Sequence, residues 1–290
     1  MRSYVVSKMS NHGASHPIVA RLSIQTLDML QWINITDQSK QDLVSTIIDE
    51  LQPKLLQCSD IYVRLLTAKD ASLADATAIL ESGGQTLPHL IGLREESEAF
   101  LNAAKQYVRD LSLLINQLFG ANLAREAKVF WEQKGNAPGP AASVWAASEL
   151  DDDFAQWLSD QRGWIGELCK KRNAVEHPEK MSGTLKINNF QHHQGNQFLP
   201  PSWKRVGKNV RCDETDLLGD VGVYLDSLLR FTEEIIASAV KLRPTFPPIE
   251  IFEIEESQRK PEAPVRLKAS VDLAKFKRKP PKITKGPDPH

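Results

Sequence analysis

The stretch "CKKRNAVEHPEK", residues 169–180, brings Arg172, Asn173, Glu176 and His177 together just before Pro178. Upstream, a helical stretch is expected to begin near Ala142 and run through Trp157, Trp164, Ile165 and Leu168 into Arg172, and Pro178 stops it. On an ideal helix Arg172 and His177 stand about 140° apart around the axis and do not share a face. Proline, however, disfavours the α conformation in the residue before it. His177 can therefore leave the helical path and turn its imidazole toward the arginine's side. Asn173 can hydrogen-bond His177 or the open carbonyls of the last turn. Glu176, one turn beyond Arg172, can pair with the guanidinium and orient it.

Outward from this point the chain reads mainly as helix. Ile18, Leu22, Leu27, Leu30 and Ile33 mark one helix, and residues 37–69 give one or two more, with Pro53 as the expected interruption. "SLADATAILESGG" predicts a short helix stopped by Gly83 and Gly84. A long helix is expected from about Leu90 to Phe119, with Leu101, Tyr107, Val108, Leu111, Leu114, Ile115 and Leu118 as its apolar stripe and Gly120 at its end. "ANLAREAKVFWEQKG" reads as a further short helix. After the motif, "GTLKINNF" and "QFLPPSWKRVGKNV" are β-favouring runs, a hairpin expected at about residues 184–211. Helix returns over residues 213–242, and "FPPIEIFEIEE" is at most one strand. The expected organisation is accessory helices over residues 1–85, a helical domain with its hairpin over 86–245, and an irregular Pro- and Lys-rich tail over 246–290, partly disordered.

A chain of 290 residues with 41% hydrophobic and 25% charged residues has the composition of a globular protein. No run approaches the roughly 20 apolar residues needed to cross a bilayer, and the first 17 residues lack the apolar core of a secretory signal. Cys58, Cys169 and Cys212 are isolated, which fits reduced thiols in a cytoplasmic protein. Cys169 reads as a small buried residue rather than a nucleophile. The net charge of −1 hides an asymmetry: residues 259–290 hold ten Lys or Arg against three Asp or Glu. A basic end on an acidic body points to a polyanionic partner for the tail or to association between tail and body, and a solvated end explains it equally well.

Arg-Asn-x-x-x-His at the end of a helix resembles the Rx4–6H signature of the HEPN superfamily, a group of all-helical domains that bind nucleotides or cut RNA, often as dimers. Here the arginine is Arg172, the polar residue after it is Asn173 and the histidine is His177. The specific match covers about ten residues, with a looser helical context from Leu90 to Leu242. The resemblance implies an HEPN-like helical bundle and a metal-independent endoribonuclease with no cofactor, acting as a homodimer on RNA in a toxin, stress or phage-defence (antiviral) setting. The residue chemistry suits such a reaction. A neutral histidine can take the proton of a ribose 2′-hydroxyl, because its ordinary pKa lies near neutrality. An arginine can hold two phosphate oxygens and stabilise the charge that gathers on them. A two-fold dimer would supply a second histidine as the acid.

Other residues are weaker candidates. Lys171, Lys204, Arg205 and Lys208, with Arg211 and Trp203 nearby, could contact phosphate and stack a base; a solvated strand edge is the simpler account. His192 and His193 have no acidic or cysteine ligand at a recognised metal spacing, so no metal site is expected. Trp131, Trp145, Trp157 and Trp164 are expected in the core or at a dimer interface. A plain alternative covers the motif as well. Lys170, Lys171 and Arg172 would favour a helix C-terminus through the macrodipole, with His177 as a cap. The protein would then be a non-catalytic helical dimerisation or nucleotide-sensing module.

Overall fold

In the computed structural model, which describes residues 11–193, 197–246 and 248–271, the chain is mainly α-helical with small antiparallel sheets. Pro17–Val19 (α1), a π-helical stretch Ala20–Ile24 and Gln25–Leu30 (α2) follow one another without a break. Thr36 caps the next rod, its Oγ1 accepting from the Ser39 amide at 3.1 Å. That rod comprises Asp37–Ser45 (α3), a π-helical stretch Thr46–Leu51 and Gln52–Glu81 (α4). The interruption expected at Pro53 does not occur. A proline has no N–H to donate and crowds the carbonyl one turn back, and a π-helical stretch before it absorbs both effects without ending the helix. The alanine-rich segment is the last part of α4, which ends just before Gly83, whose φ is +80°.

Helix α5, Leu93–Phe119, is the axis of the molecule. Its apolar stripe is so wide that Phe100, Leu101, Ala104, Tyr107, Val108, Leu111, Leu114, Ile115 and Leu118 are all buried. It packs against α4, the 3-10 turn Ala127–Phe130, α8 (Arg162–Glu176) and α9 (Leu217–Leu242). Gly120, at φ +69°, ends it. The helix expected at "ANLAREAKVFWEQKG" is only that 3-10 turn, which carries Val129 and Phe130 into the core beside α5. The helical stretch expected from near Ala142 into Arg172 is three helices, Ala141–Glu149 (α6), Asp152–Asp160 (α7) and α8, because Asp151 starts a new one by capping it. Asp151 caps α7 by accepting from the Phe154 amide at 2.8 Å. The four tryptophans are half-buried against the core; Trp157 stacks on Phe154 at 5.6 Å between ring centres.

After α8 the chain forms Thr184–Asn188 (β1), Gln191–His192 (β2), Phe198–Leu199 (β3), Ser202–Gly207 (β4), Val210–Arg211 (β5) and Thr215–Asp216 (β6). β4 is the centre of a four-stranded sheet, pairing antiparallel with β1, β5 and β6 in the register Leu185↔Arg205 and Ile187↔Trp203. β2 and β3 pair with each other. The hairpin expected at residues 184–211 is therefore a small sheet that reaches residue 216.

The irregular tail expected from residue 246 begins later. Ile249–Glu253 (β7) and Leu267–Val271 (β8) form an antiparallel hairpin that packs on α2 and α9. Its anchor is Arg266, 4% exposed, whose Nε donates to Glu233 of α9 at 2.9 Å. Arg21 reaches the same carboxylate through its Nε at 2.9 Å, and Gln25 donates to it at 2.9 Å while accepting from the Arg266 and Leu267 amides. Glu233 is wholly buried. A charge in that position is tolerable only because donors from both ends of the described chain surround it. The apolar core likewise runs unbroken from Ile18 to Leu267, with no break in packing at residue 85 or 246. Residues 272–290, where most of the basic excess lies, fall outside the described residues.

Glu233→Gln removes the charge and leaves Arg21 and Arg266 buried without a full partner. The expected loss is about 3–5 kcal/mol in urea unfolding at neutral pH. A loss below about 1 kcal/mol would show that the network does not hold the hairpin to the body.

Candidate functional site

Helix α8 delivers the motif to the surface of α5. Ile165, Leu168, Cys169 and Ala174 are buried, so the helix is seated by one face, and Arg172, Asn173 and Glu176 fall at its edge. Here the two helices exchange side-chain bonds. Arg172 Nε donates to Asn102 Oδ1 of α5 at 2.9 Å. In the opposite sense, Lys105 Nζ of α5 donates to Asn173 Oδ1 at 2.6 Å. Asn173 thus meets neither the His177 side chain nor an open carbonyl through its amide, the two partners expected from the sequence. It is the backbone carbonyl of Asn173 that accepts from the His177 amide, at 2.8 Å, closing the last turn.

His177 has φ −132° and ψ 68°, outside the helix, as its place before Pro178 requires. Its side chain is 51% exposed, and Nε2 lies 3.6 Å from a Glu176 carboxylate oxygen that also pairs with Arg172. One carboxylate therefore stands between the arginine and the histidine and places both on one side of the helix end. Beyond it the chain turns tightly: Glu179 adopts φ +68°, and its amide donates to Thr184 Oγ1 at 3.2 Å. Gly183 then passes so close to β4 that a Cβ would stand 2.5 Å from the Val206 carbonyl oxygen. At φ +75° only glycine fits without strain. The loop that carries His177 is thus tied down at both ends.

The cations expected to meet nucleic acid divide into two groups. Lys171 and Arg205 are interior residues, 8% and 5% exposed. Lys171 Nζ donates to Tyr224 Oη at 2.9 Å and Asp220 Oδ2 at 3.2 Å. Burial works against its charge, yet Tyr224 and Asp220 prevail and hold its pKa above the ordinary lysine value. Arg205 Nη2 donates to Glu167 at 3.0 Å, and its Nη1 to the Ser182 carbonyl at 3.2 Å. Both hold the sheet against α8 and α9 and offer nothing to a phosphate. Trp203, fully buried with its indole N–H donating to Asp220 at 2.6 Å, cannot stack a base. Lys204 is half-exposed and paired with Glu214 at 2.7 Å, and Lys208 is exposed on the turn between β4 and β5. His192 lies exposed on β2, edge-on to Phe198.

Two α5 residues central to the site, Asn102 and Lys105, went unrecognised in the sequence. Their signal was available: Asn102, Lys105 and Arg109 recur three and four apart along α5 and form a polar edge beside the apolar stripe. Beside Arg109 but turned to the interior is Asp110, whose side chain has no exposure. Burial by itself would raise its carboxyl, but hydrogen bonds from Arg109, Arg125 and Lys54 outweigh that and hold it at about 2. Cys169 is shut off, and burial pushes its thiol up to about 12, so it is no nucleophile near neutral pH. Among the described residues no group of three or more His, Cys, Asp or Glu is placed to hold a metal ion, and no helix is long and apolar enough to cross a membrane.

Comparison with protein-family models, with curated proteins and with solved structures returns no match. The site is therefore read from its own residues.

A depressed carboxyl stabilises the fold above its unfolded pKa and loses that effect as pH falls through the folded value. Asp110→Asn is expected to cost about 2 kcal/mol near pH 7. The gap to wild type should close between about pH 4 and pH 2, read from urea midpoints across that range. A gap that stays constant on acidification would mean that the Asp110 charge is not what holds the three cations.

Proposed function

We propose that the protein binds RNA and cuts it without a metal ion, as the HEPN resemblance implies, with Arg172 and His177 at the centre. The observation that carries this reading is the end of α8. His177 stands outside the helix and half-exposed, on the same side as Arg172, with Glu176 between them. A helix end serving only as a cap would not need this arrangement.

In the reaction, the imidazole of His177 takes the proton of a ribose 2′-hydroxyl. The 2′ oxygen bonds to the neighbouring phosphorus, the bond from phosphorus to the 5′ oxygen breaks, and the leaving oxygen is protonated by an acid. The products are a 2′,3′-cyclic phosphate and a 5′-hydroxyl end. Arg172 neutralises charge on the non-bridging oxygens as five-coordinate phosphorus forms. Asn102 fixes the guanidinium through Nε, which leaves the Nη edge to face the phosphate once Glu176 yields it. Asn173 steadies the site through Lys105 and α5. A two-fold dimer would supply the acid from the second His177. Of the four cations expected to meet nucleic acid, Lys171 and Arg205 are buried, Lys204 is paired with Glu214 and Lys208 is exposed toward the strand.

The test is cleavage of single-stranded RNA in EDTA by wild type, His177→Ala and Arg172→Ala. Loss of a general base or of an oxyanion partner is expected to lower the rate about 100-fold or more, with a 2′,3′-cyclic phosphate on the wild-type product. Equal rates in all three proteins would overturn the catalytic reading. Absence of cleavage in wild type with RNA binding intact would favour the non-catalytic binding module.

A further inference from the structure

The strongest unexplained feature outside the motif is the cleft that Asn173 shares with α5. It has a volume of about 420 Å³, and the charged groups of its lining are Lys105, Arg109, Arg125 and Lys128 with the carboxylates Glu126 and Glu132. The cations are not equivalent. Arg109 and Arg125 both donate to Asp110, at 2.8 and 2.7 Å, and Lys128 pairs with Glu126 at 2.7 Å. Lys105 has no carboxylate partner among the described residues. Its Nζ makes one bond, to the neutral amide oxygen of Asn173, although an ammonium carries three donors.

This lysine is also half-buried and close to a like charge. Burial, and after it the Arg172 guanidinium, lower its pKa from the ordinary lysine value. Two cations from different helices are thus held side by side by the amides of Asn102 and Asn173. Glu176 already pairs with Arg172, so Lys105 is the cation of the two left without an anion, and a phosphate in the cleft can accept from its remaining donors.

We propose that Lys105 and the adjoining cleft bind a second backbone phosphate of the RNA strand whose scissile phosphate lies at Arg172. This rests on the reading of Arg172 as a phosphate-holding residue. Arg109 lies one turn further along α5 on the same polar edge, with its side chain 39% exposed, and continues the track. The strand would then run from the His177 end of α8 along the junction with α5. Lys105 is a binding residue here, since it acts on a phosphate other than the reacting one.

The experiment compares the full chain with Lys105→Gln and Lys105→Arg, using inorganic phosphate and a fluorescent single-stranded RNA in EDTA over a range of salt concentrations. Thermal unfolding without ligand shows that both variants are folded. Phosphate should raise the wild-type melting temperature and leave that of Lys105→Gln unmoved. Lys105→Gln should bind RNA about tenfold more weakly, with a salt slope shallower by about 0.7, the value of one phosphate contact on a single strand. Lys105→Arg should restore most of the affinity. RNA binding and salt slope equal to wild type in Lys105→Gln would overturn the proposal, and if phosphate binding alone were lost, the cleft would be a site for free phosphate and not for the strand. Failure of the cleavage reading shows in the rate of His177→Ala, whereas failure here shows in binding at equilibrium, so the two can be told apart.

Discussion

The structure depends on a helix that is buried around most of its circumference. α5 is covered by α4, α8, α9 and the 3-10 turn, so nearly every side chain along it must be apolar, small or provided with a partner. Its polar exceptions follow that rule. Ser97 returns its hydroxyl to the Leu93 carbonyl at 2.6 Å, Tyr107 meets Thr232 of α9 at 2.5 Å, and Asp110 collects its three cations. An unpaired polar group in such a place would cost about 1–3 kcal/mol. The Tyr107 and Asp110 bonds fix the rotation of α5 against its neighbours, while the Ser97 bond stays within the helix. Asn102 and Lys105 lie on the one edge that reaches solvent, and their orientation is set by the same packing.

Two fully buried carboxylates do related work, Glu233 on α9 and Asp110 on α5 itself. Glu233 gathers Arg21, Gln25 and Arg266 and so joins the first helix to the last hairpin. Asp110 gathers Lys54, Arg109 and Arg125 and so joins α4 and the segment after α5 to α5 itself. Desolvation makes an isolated buried charge very unfavourable, so these sites act as specifications of which segments must meet. Beside the cleft, Asp110 occupies Arg109, Arg125 and Lys54, whereas Lys105 has the amide of Asn173 as its partner.

How much of this the sequence carries can be argued from particular residues. The stripe of α5 and its end at Gly120 are visible because a 3.6-residue period repeated over seven turns has no competing reading. The turn of the chain at His177 is visible because proline acts on its immediate neighbour. Pro53 misled because its effect depends on whether the preceding turn can widen, which no local pattern records. The fate of Arg205 was within reach: from an inward Trp203, the period of two along β4 places Arg205 on the inner face as well. Its charge argued for solvent, and only Glu167, far away in sequence, makes burial tolerable. Arg266 is the same case across a greater distance, and it turns part of an expected tail into a packed hairpin.

The motif itself gains most from this comparison. Read as a charged helix end, "KKRNAVEH" would present three cations to the exposed carbonyls of the last turn. Only Lys170 remains on the surface, paired with Glu167 at 3.2 Å. Lys171 turns inward to Asp220 and Tyr224, and Arg172 turns sideways to Asn102. The macrodipole does not describe Arg172 fully, because its Nε is directed across to α5 while its Nη1 pairs with Glu176 at the helix end. Its guanidinium is held by one edge, beside a histidine that its following proline has turned out of the helix. The order arginine, asparagine, glutamate, histidine then has a physical sense. The first two fasten α8 to α5, the third spans the gap, and the fourth is the one left facing solvent.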